Sequence, residues 1–319
     1  MKKILPIAIM AHNEERVINR AICSCLCQEP PLDFEVIIVV VANACVDATE
    51  SIVENLSSFN SNIILLSTQK KGKTNALNLA INFISDLRND GCDIPFIVFL
   101  DADCKFGGKE CLIKYVENFN RCNRLLAVSS MCIPNINDMD KSLFVRILYA
   151  SLINLSKSVP YNGIHGGSYI VKLNILHDNF FPNIQMADDV FMSARLDGWF
   201  CKDNEIIVLY EIPKNIFSEM NKRIRHEVAN INFLNYQIYY KEKTGKNLSI
   251  NDCVLDDKYR WYGFSRKDLI FAIKNILSFR DIIFVVFSLI MRKIALFKAR
   301  RIARNISGNN ECDFWIIER

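Results

Sequence analysis

Four apolar runs in the first hundred residues recur at intervals of roughly thirty residues, the length of a βαβ unit, and each ends on a polar cluster. Ile4–Met10, Phe34–Val41, Ile63–Leu66 and Phe96–Leu100 read as strands. The last of them is β-branched and aromatic without a charge, the composition of a strand buried on both faces. Between the runs, about Glu14–Cys27, Asp47–Leu56 and Thr74–Leu87 read as helices. Strands alternating with amphipathic helices imply an α/β fold, a mostly parallel mixed sheet covered on both faces.

In such sheets ligands bind beyond the carboxyl ends of the strands. Those ends carry His12-Asn13-Glu14-Glu15, Asn43-Ala44-Cys45-Val46-Asp47, Lys70-Lys71-Gly72-Lys73 and Asp101-Ala102-Asp103. One edge of the sheet therefore has amides and carboxylates for a base and ribose, lysines for phosphates and carboxylates for a metal. Alternate residues of an extended chain point the same way, so Asp101 and Asp103 can converge on one cation. Two carboxylates with a phosphate-bearing ligand are what Mg²⁺ or Mn²⁺ takes. The competing reading of Asp-x-Asp is a polar turn after a strand. No Gly-x-Gly-x-x-Gly follows the first strand and no Walker loop occurs, which excludes dinucleotide oxidoreductases and P-loop enzymes.

Beyond Asp103 the pattern is mixed: a strand near Leu125–Cys132, a helix from about Lys141 to Lys157, and Gly163-Ile164-His165-Gly166-Gly167-Ser168 flowing into Tyr169-Ile170-Val171. Ala187-Asp188-Asp189-Val190-Phe191-Met192 opens another helix, Ile206–Leu209 reads as a short strand, and about Lys214–Tyr240 as a helix. At 319 residues with half the chain apolar, one large or two modest domains are expected. The twelve cysteines are scattered without a Cys-x-x-Cys pair, the pattern of reduced thiols in a cytosolic protein. The apolar start after Met1-Lys2-Lys3 passes straight into His12-Asn13-Glu14-Glu15, and so reads as the first strand rather than a secretory signal.

With those residues placed, the chain resembles the family 2 glycosyltransferases, inverting nucleotide-sugar enzymes of GT-A (Rossmann-like) fold, from about Ile4 to Asn230. Ala11-His12-Asn13-Glu14-Glu15 is similar to the family's opening Ala-x-Asn-Glu-Glu turn, and Asn43-Ala44-Cys45-Val46-Asp47-Ala48-Thr49 to its base-recognising turn, where many members carry Asp in place of Asn43. Lys71-Gly72-Lys73-Thr74-Asn75-Ala76-Leu77-Asn78 resembles Gly-Lys-x-x-Ala-Leu-Asn, and Asp101 and Asp103 match the Asp-x-Asp metal motif. Asp188-Asp189 stands where the family writes Glu-Asp. Lys222-Arg223-Ile224-Arg225-His226 resembles the Gln-x-x-Arg-Trp segment of polysaccharide synthases, with Lys222 for Gln and His226 for the Trp of processive members.

The resemblance implies a metal-dependent, non-processive transferase moving one sugar from a nucleotide diphosphate, a UDP-sugar favoured, to a glycan or lipid-linked acceptor. It makes Asp189 the base, against simple helix capping by an acidic first turn. Asp101 and Asp103 would hold Mn²⁺ or Mg²⁺, and Lys73 and Arg225 would meet phosphate, against the reading of solvated surface cations. Asn13 and Asn43 become base or ribose contacts, although both residue types also serve turns for local reasons. His165 beside its glycines is either a loop histidine or a neighbour of the donor sugar, and Asp188 and His226 fall on the acceptor side. Two other readings stand: a scaffold on a degenerate transferase fold, and a sugar-phosphate nucleotidyltransferase, which would need a glycine-rich loop that Ala11–Arg20 lacks.

The excess positive charge of +4 lies entirely in residues 292–319; the remainder is neutral. Ile282–Met291 is apolar apart from Ser288, yet Arg280-Asp281 and Arg292-Lys293 interrupt any window of the roughly 20 residues that a bilayer span needs. Residues 269–304 therefore read as a basic amphipathic helix at an anionic membrane surface, or alternatively as a core helix or dimer contact. Nucleic acid is not expected, since no aromatic interleaving or known module accompanies the charge. The expected organisation is a catalytic domain over 1–240, with a nucleotide-binding half of about 1–103 and an acceptor half of about 104–240. A helical basic extension over 241–319 follows, and the whole is cytoplasmic, with a peripheral membrane association.

Overall fold

The computed structural model describes residues 2–137, 139–156, 163–184, 186–246, 248 and 277–306. Strand β1 (Lys3–Ala11) is flanked by two parallel neighbours, β2 (Phe34–Asn43) and β4 (Phe96–Asp101), and β3 (Ile63–Thr68) extends β2 in the same sense. The register sets Met10 opposite Asp101, Ala11 opposite Ala42 and Asn43 opposite Thr68, so the polar strand ends fall along one edge. Leu5, Ile7, Ala8 and Ile9 are all fully buried, as a central parallel strand requires on both its faces. Helix α1 (Ile18–Leu26) contributes Ile18 and Ile22 to the core on one face. On the sheet's inner strands lies α3 (Lys73–Asn89), burying Leu77, Ile81 and Ile84. Each such aliphatic side chain stabilises the fold by roughly 1.5–3 kcal/mol.

Helix α1 begins four residues later than the sequence pattern implies. Glu14–Val17 instead form a turn that is tied to the start of α2 (Thr49–Phe59) by bonds from Glu14 N–H to Thr49 Oγ1 and from Glu15 N–H to Asp47 Oδ2. The second half of the sheet is antiparallel. After β4 come β5 (Cys104–Phe106), α4 (Cys111–Arg121), β6 (Ala127–Asn135), α5 (Leu143–Ser156), β7 (Ser168–Lys172), α6 (Asp188–Leu196) and β8 (Phe200–Glu211). The eight strands run in the order β3-β2-β1-β4-β7-β6-β8-β5, with β4–β7, β6–β7 and β5–β8 antiparallel. The sequence pattern missed β5 and α4 and foresaw a third of β8. The stripe Cys111, Leu112, Tyr115, Val116 and Phe119, buried at helical spacing, was the available signal for α4.

Two compact units emerge. The first comprises Met1–Ile133, Ile164–Met192 and Gly198–Tyr210, the second Pro134–Gly163, Ser193–Asp197 and Glu211–Arg319. In the second unit, α5 packs with α7 (Ile216–Thr244) and α8 (Phe279–Ile306). Asn215 caps α7 by accepting from the N–H groups of Phe217 and Ser218, and Gly245 ends it in the left-handed conformation at φ 69°. Ser278 and Asp281 close α8 reciprocally, each side chain accepting from the other's backbone N–H. Ala295 and Ala299 let α8 approach Ile224 and Val228 of α7. Residues 269–276 of the basic segment, and 247, 249–276 and 307–319 of the extension, lie outside the described residues, as does Lys157. Along α8, Val285, Met291, Ala295 and Ala299 are buried within its own unit.

The helical unit buries charge. Glu219 accepts from the Tyr149 hydroxyl at 2.8 Å and pairs with Arg223, which also donates to the Ser288 carbonyl at 2.9 Å; Glu227 pairs with Arg292 at 2.9 Å. Removing one partner of a buried pair strands the other charge, so Glu219→Ala is expected to lower the unfolding free energy by about 3 kcal/mol. Urea denaturation measures this, and Glu219→Gln, which can still accept from Tyr149, should lose less.

Candidate active site

Site assembly begins at Asn43, the last residue of β2, which is buried. Its Nδ2 donates to the Lys70 carbonyl at 2.8 Å and its Oδ1 accepts from Gly72 N–H at 3.0 Å, so one amide grips both sides of the β3–α3 loop. Gly72 sits at φ 124°, a conformation side chains rarely adopt, and hands the chain directly into α3. The Asn43 carbonyl accepts from His12 Nδ1–H at 2.6 Å, joining the β1 end to the same clamp. Asn13, itself left-handed at φ 57°, accepts from Val46 N–H at 2.8 Å and so braces the β2–α2 loop.

The clamp aims Lys73. Its ammonium lies 2.7 Å from Asp101 Oδ1 at the end of β4 and 2.7 Å from Asp188 Oδ1 at the start of α6. Burial alone would depress the lysine, but the two carboxylates outweigh it and hold Lys73 well above the ordinary value. Asp188 is buried and also accepts from the Tyr169 hydroxyl at 3.4 Å. Asp101 keeps 30% of its side chain exposed and donates its N–H to the Gly167 carbonyl. Burial raises Asp101, Lys73 pulls it back, and Asp188 and Asp103 push it up again, to about 7. Between Asp101 and Cys104 the chain makes a turn in which Ala102 is buried while Asp103 stays partly exposed.

Asp189 has a different environment from its neighbour. Its Oδ1 accepts from Val190 N–H at 2.8 Å and its Oδ2 from Gly166 N–H at 3.2 Å. Burial and the adjacent Asp188 carboxylate push it up to about 6 against Lys73 and those two N–H groups. A methyl group on Gly166 would sit 3.0 Å from Asp189 Oδ2, so glycine is what allows the loop to touch the carboxylate. His165 precedes it, donating its N–H to Ser129 Oγ at 2.7 Å.

The first unit thus brings together Lys73, Asp101 and Asp188, with Asp103 and Asp189 beside them and Asn13, Asn43 and the His165–Gly167 loop as supports. Arg225 and His226 belong to the other unit, on α7, with His226 exposed. Arg223 turns inward to Glu219 and Ser288, and Arg225, two positions on, faces another side of α7. Lys222, standing where polysaccharide synthases carry Gln, lies over the Tyr149 ring at 5.9 Å. Two residues had no foreseen role. Tyr169 backs Asp188, and Asn78 donates to the Phe181 carbonyl at 2.8 Å and accepts from Phe181 N–H at 3.0 Å, fixing the segment that leads to α6. Asn78 was legible as the polar member of the apolar face Ala76, Leu77, Ala80, Ile81.

A family profile, glycosyl transferase family 2, matches residues 7–172, more than half of the chain. The chain belongs to this family. It is a glycosyltransferase, which removes the nucleotidyltransferase and scaffold readings. The family match takes in Asn13, Asn43, Lys73, Asp101, Asp103 and His165, whereas Asp188, Asp189, Arg225 and His226 lie beyond it. No curated protein matches the chain in sequence. Among solved structures it is similar to the mannosyltransferase PcManGT from Pyrobaculum calidifontis in complex with GDP-Man and Mn²⁺, at TM-score 0.60 and 18% identity over 95% of this chain and 87% of that one. This likeness shows the fold: the GT-A-like mixed α/β sheet expected from the β-α repeat. Weaker likenesses are to S. aureus TarS (TM-score 0.46, 16% identity, 74% of this chain and 40% of that one) and to the glucosyl-3-phosphoglycerate synthase of Mycobacterium tuberculosis with Mn²⁺, UDP-Glc and phosphoglyceric acid (0.43, 15%, 69% and 75%).

Asn78→Ala would leave two Phe181 backbone groups buried without partners, costing about 2 kcal/mol. Chemical denaturation reads that loss. Gly166→Ala is expected to keep the fold and shift the Asp189 carboxylate by a few tenths of an ångström, which a crystal structure of the variant measures.

Proposed function

We propose that this glycosyltransferase moves a single sugar, with inversion, from a nucleoside diphosphate donor to a hydroxyl of a glycan or lipid-linked acceptor. A UDP-sugar is the favoured donor and GDP-mannose the one to set beside it. The observation that carries the reading is the Lys73–Asp101–Asp188 cluster with the separate, proton-affine Asp189 next to it. Residues 1–240 act as the catalytic part, about 1–103 serving the donor and 104–240 the acceptor, and 241–319 as an extension.

Inversion is one displacement at the anomeric carbon. Asp189 takes the proton of the acceptor hydroxyl, the oxygen attacks the anomeric carbon, and the bond to the diphosphate breaks with its electron pair leaving on the nucleotide. Lys73 presents a fixed positive charge to the departing diphosphate, with Arg225 a second phosphate partner. Asn43 and Asn13 shape the base and ribose site through the loops that they hold. His165 borders the donor sugar, and His226 serves the acceptor.

The donor set fits a hard divalent cation. Asp101 and Asp103 repel one another at the strand end, and two carboxylates plus phosphate oxygens are an ordinary set for Mg²⁺ or Mn²⁺. Among the described residues no three His, Cys, Asp or Glu side chains cluster as a complete site, so the donor's own oxygens would finish it. Held there, the cation would supply Lewis-acid neutralisation of the leaving diphosphate. Among the described residues no helix is long and apolar enough to cross a membrane, and an association of 269–304 with the cytoplasmic face of an anionic membrane would bring the enzyme to a lipid-linked acceptor.

Calorimetry with UDP and GDP in the presence of Mn²⁺ tests the donor site: one nucleotide should bind, and binding should vanish in the Asp101→Ala/Asp103→Ala double variant. Retained binding in that variant would remove the metal assignment. The base is read separately. With its carboxyl lifted to about 6, Asp189 is ionised above that pH, so kcat/KM should rise through pH 6 and fall away below it. Asp189→Asn should lower kcat by about 10²–10⁴-fold and abolish that limb while leaving nucleotide binding intact.

A further inference from the structure

Helix α8 is apolar on two opposite sides. Val285, Ser288, Met291, Ala295 and Ala299 are buried against α5 and α7, while Phe279, Ile283, Val286, Ile290, Ile294 and Phe297 stand exposed, the two end phenylalanines at 79% and 72%. The exposed set steps by four, three, four, four and three residues, which is one continuous stripe on a helix of 3.6 residues per turn. At 1.5 Å per residue it runs for about 27 Å. Phe144 of α5 lies 5.0 Å from Phe284 and 5.1 Å from Phe287, so the apolar surface continues onto the first turn of α5, where Leu143 is also exposed.

The charges beside the stripe are of one sign. On the helical wheel Lys293 and Arg300 edge it on one side, Arg280 and Lys298 on the other, and Arg301 continues its line past Phe297. All five are exposed. Asp281 is the single acid in α8, and it is buried, accepting from Ser151 at 2.8 Å and from Ser278 at 2.7 Å. A second copy meeting this face about a two-fold axis would set basic edge against basic edge. A lipid surface supplies what both features ask for at once, acyl chain for the stripe and anionic headgroups for its edges.

We propose that the outer face of α8, with Leu143 and Phe144, docks the protein flat on an anionic bilayer surface. This rests on the membrane association put forward above, names the face responsible, and is independent of the nucleotide or sugar that the site takes.

The test is flotation of the full chain with phosphatidylcholine vesicles with and without phosphatidylglycerol. Partitioning should be about tenfold or more stronger on the anionic vesicles. It should fall about tenfold or more in V286S/I290S/F297S, and by about fivefold for each charge removed in K293Q/K298Q/R300Q/R301Q, with added salt mimicking the second variant. All substituted positions are exposed, and an unchanged far-ultraviolet circular dichroism spectrum is expected for both variants. Absence of partitioning, equal partitioning on neutral and anionic vesicles, or partitioning that neither variant weakens would overturn the proposal. So would a wild-type dimer in vesicle-free solution that V286S/I290S/F297S makes monomeric, which would give the face to a second copy. Nucleotide calorimetry without vesicles reads the donor site alone, so a failure there and a failure here are seen separately.

Discussion

One ammonium group holds the site together. Lys73 lies 2.7 Å from carboxylates at the end of β4 and at the start of α6, two elements distant in sequence. Asp188 and Asp103 push the Asp101 carboxyl up and Asp188 pushes up that of Asp189, and Lys73 is the cation that pulls both back. The supports converge on placing that lysine: Asn43 grips the loop before it, Gly72 supplies the turn, and Asn78 ties its helix to the segment that delivers Asp188.

Adjacent aspartates are given opposite characters by their surroundings. Asp188 is buried beside a permanent positive charge and a tyrosine hydroxyl. Asp189 has backbone N–H groups for company and its neighbour's negative charge behind it, which raises its affinity for a proton. The two carboxyl groups are thereby split between different partners, Asp188 held by Lys73 and Asp189 by the N–H groups of Gly166 and Val190. The split depends on backbone: α6 starts at Asp188, so successive side chains diverge by about 100° and cannot share one environment.

The parallel half of the sheet was legible because β1, β4 and the second half of β2 are buried on both faces and their polar ends are punctuated by turn residues, as at Asn43 and Asp101. The antiparallel half was harder to read. β5 is three residues long, and β8 carries Lys202, Asp203, Asn204 and Glu205 in its first half, so neither shows an apolar run. Position alone put Lys73, Asp101 and Asp103 at the polar ends of the parallel strands, whereas Arg225 falls on α7 in the other unit. Their side-chain partners could not be read there: Asn43 spans the β3–α3 loop through the Lys70 carbonyl and Gly72 N–H, and Asp188 lies 2.7 Å from Lys73. Such roles depend on groups 27 to 115 residues away in the chain, beyond any local pattern. Helix α8 is apolar on two opposite faces, which cancels the one-sided periodicity that identifies a surface helix.

The Asn43 clamp also bears on how freely such a site can be remodelled. An amide carries a donor and an acceptor on one planar group, and here the donor meets the carbonyl of Lys70 while the acceptor meets the N–H of Gly72. A carboxylate of the same size could keep the second bond and would confront the Lys70 carbonyl with a like-signed oxygen. Aspartate and asparagine at this strand end are therefore two different loop geometries rather than two shades of polarity. The residue that ends β2 and the shape of the loop before α3 must change together, since one amide holds both sides of that loop.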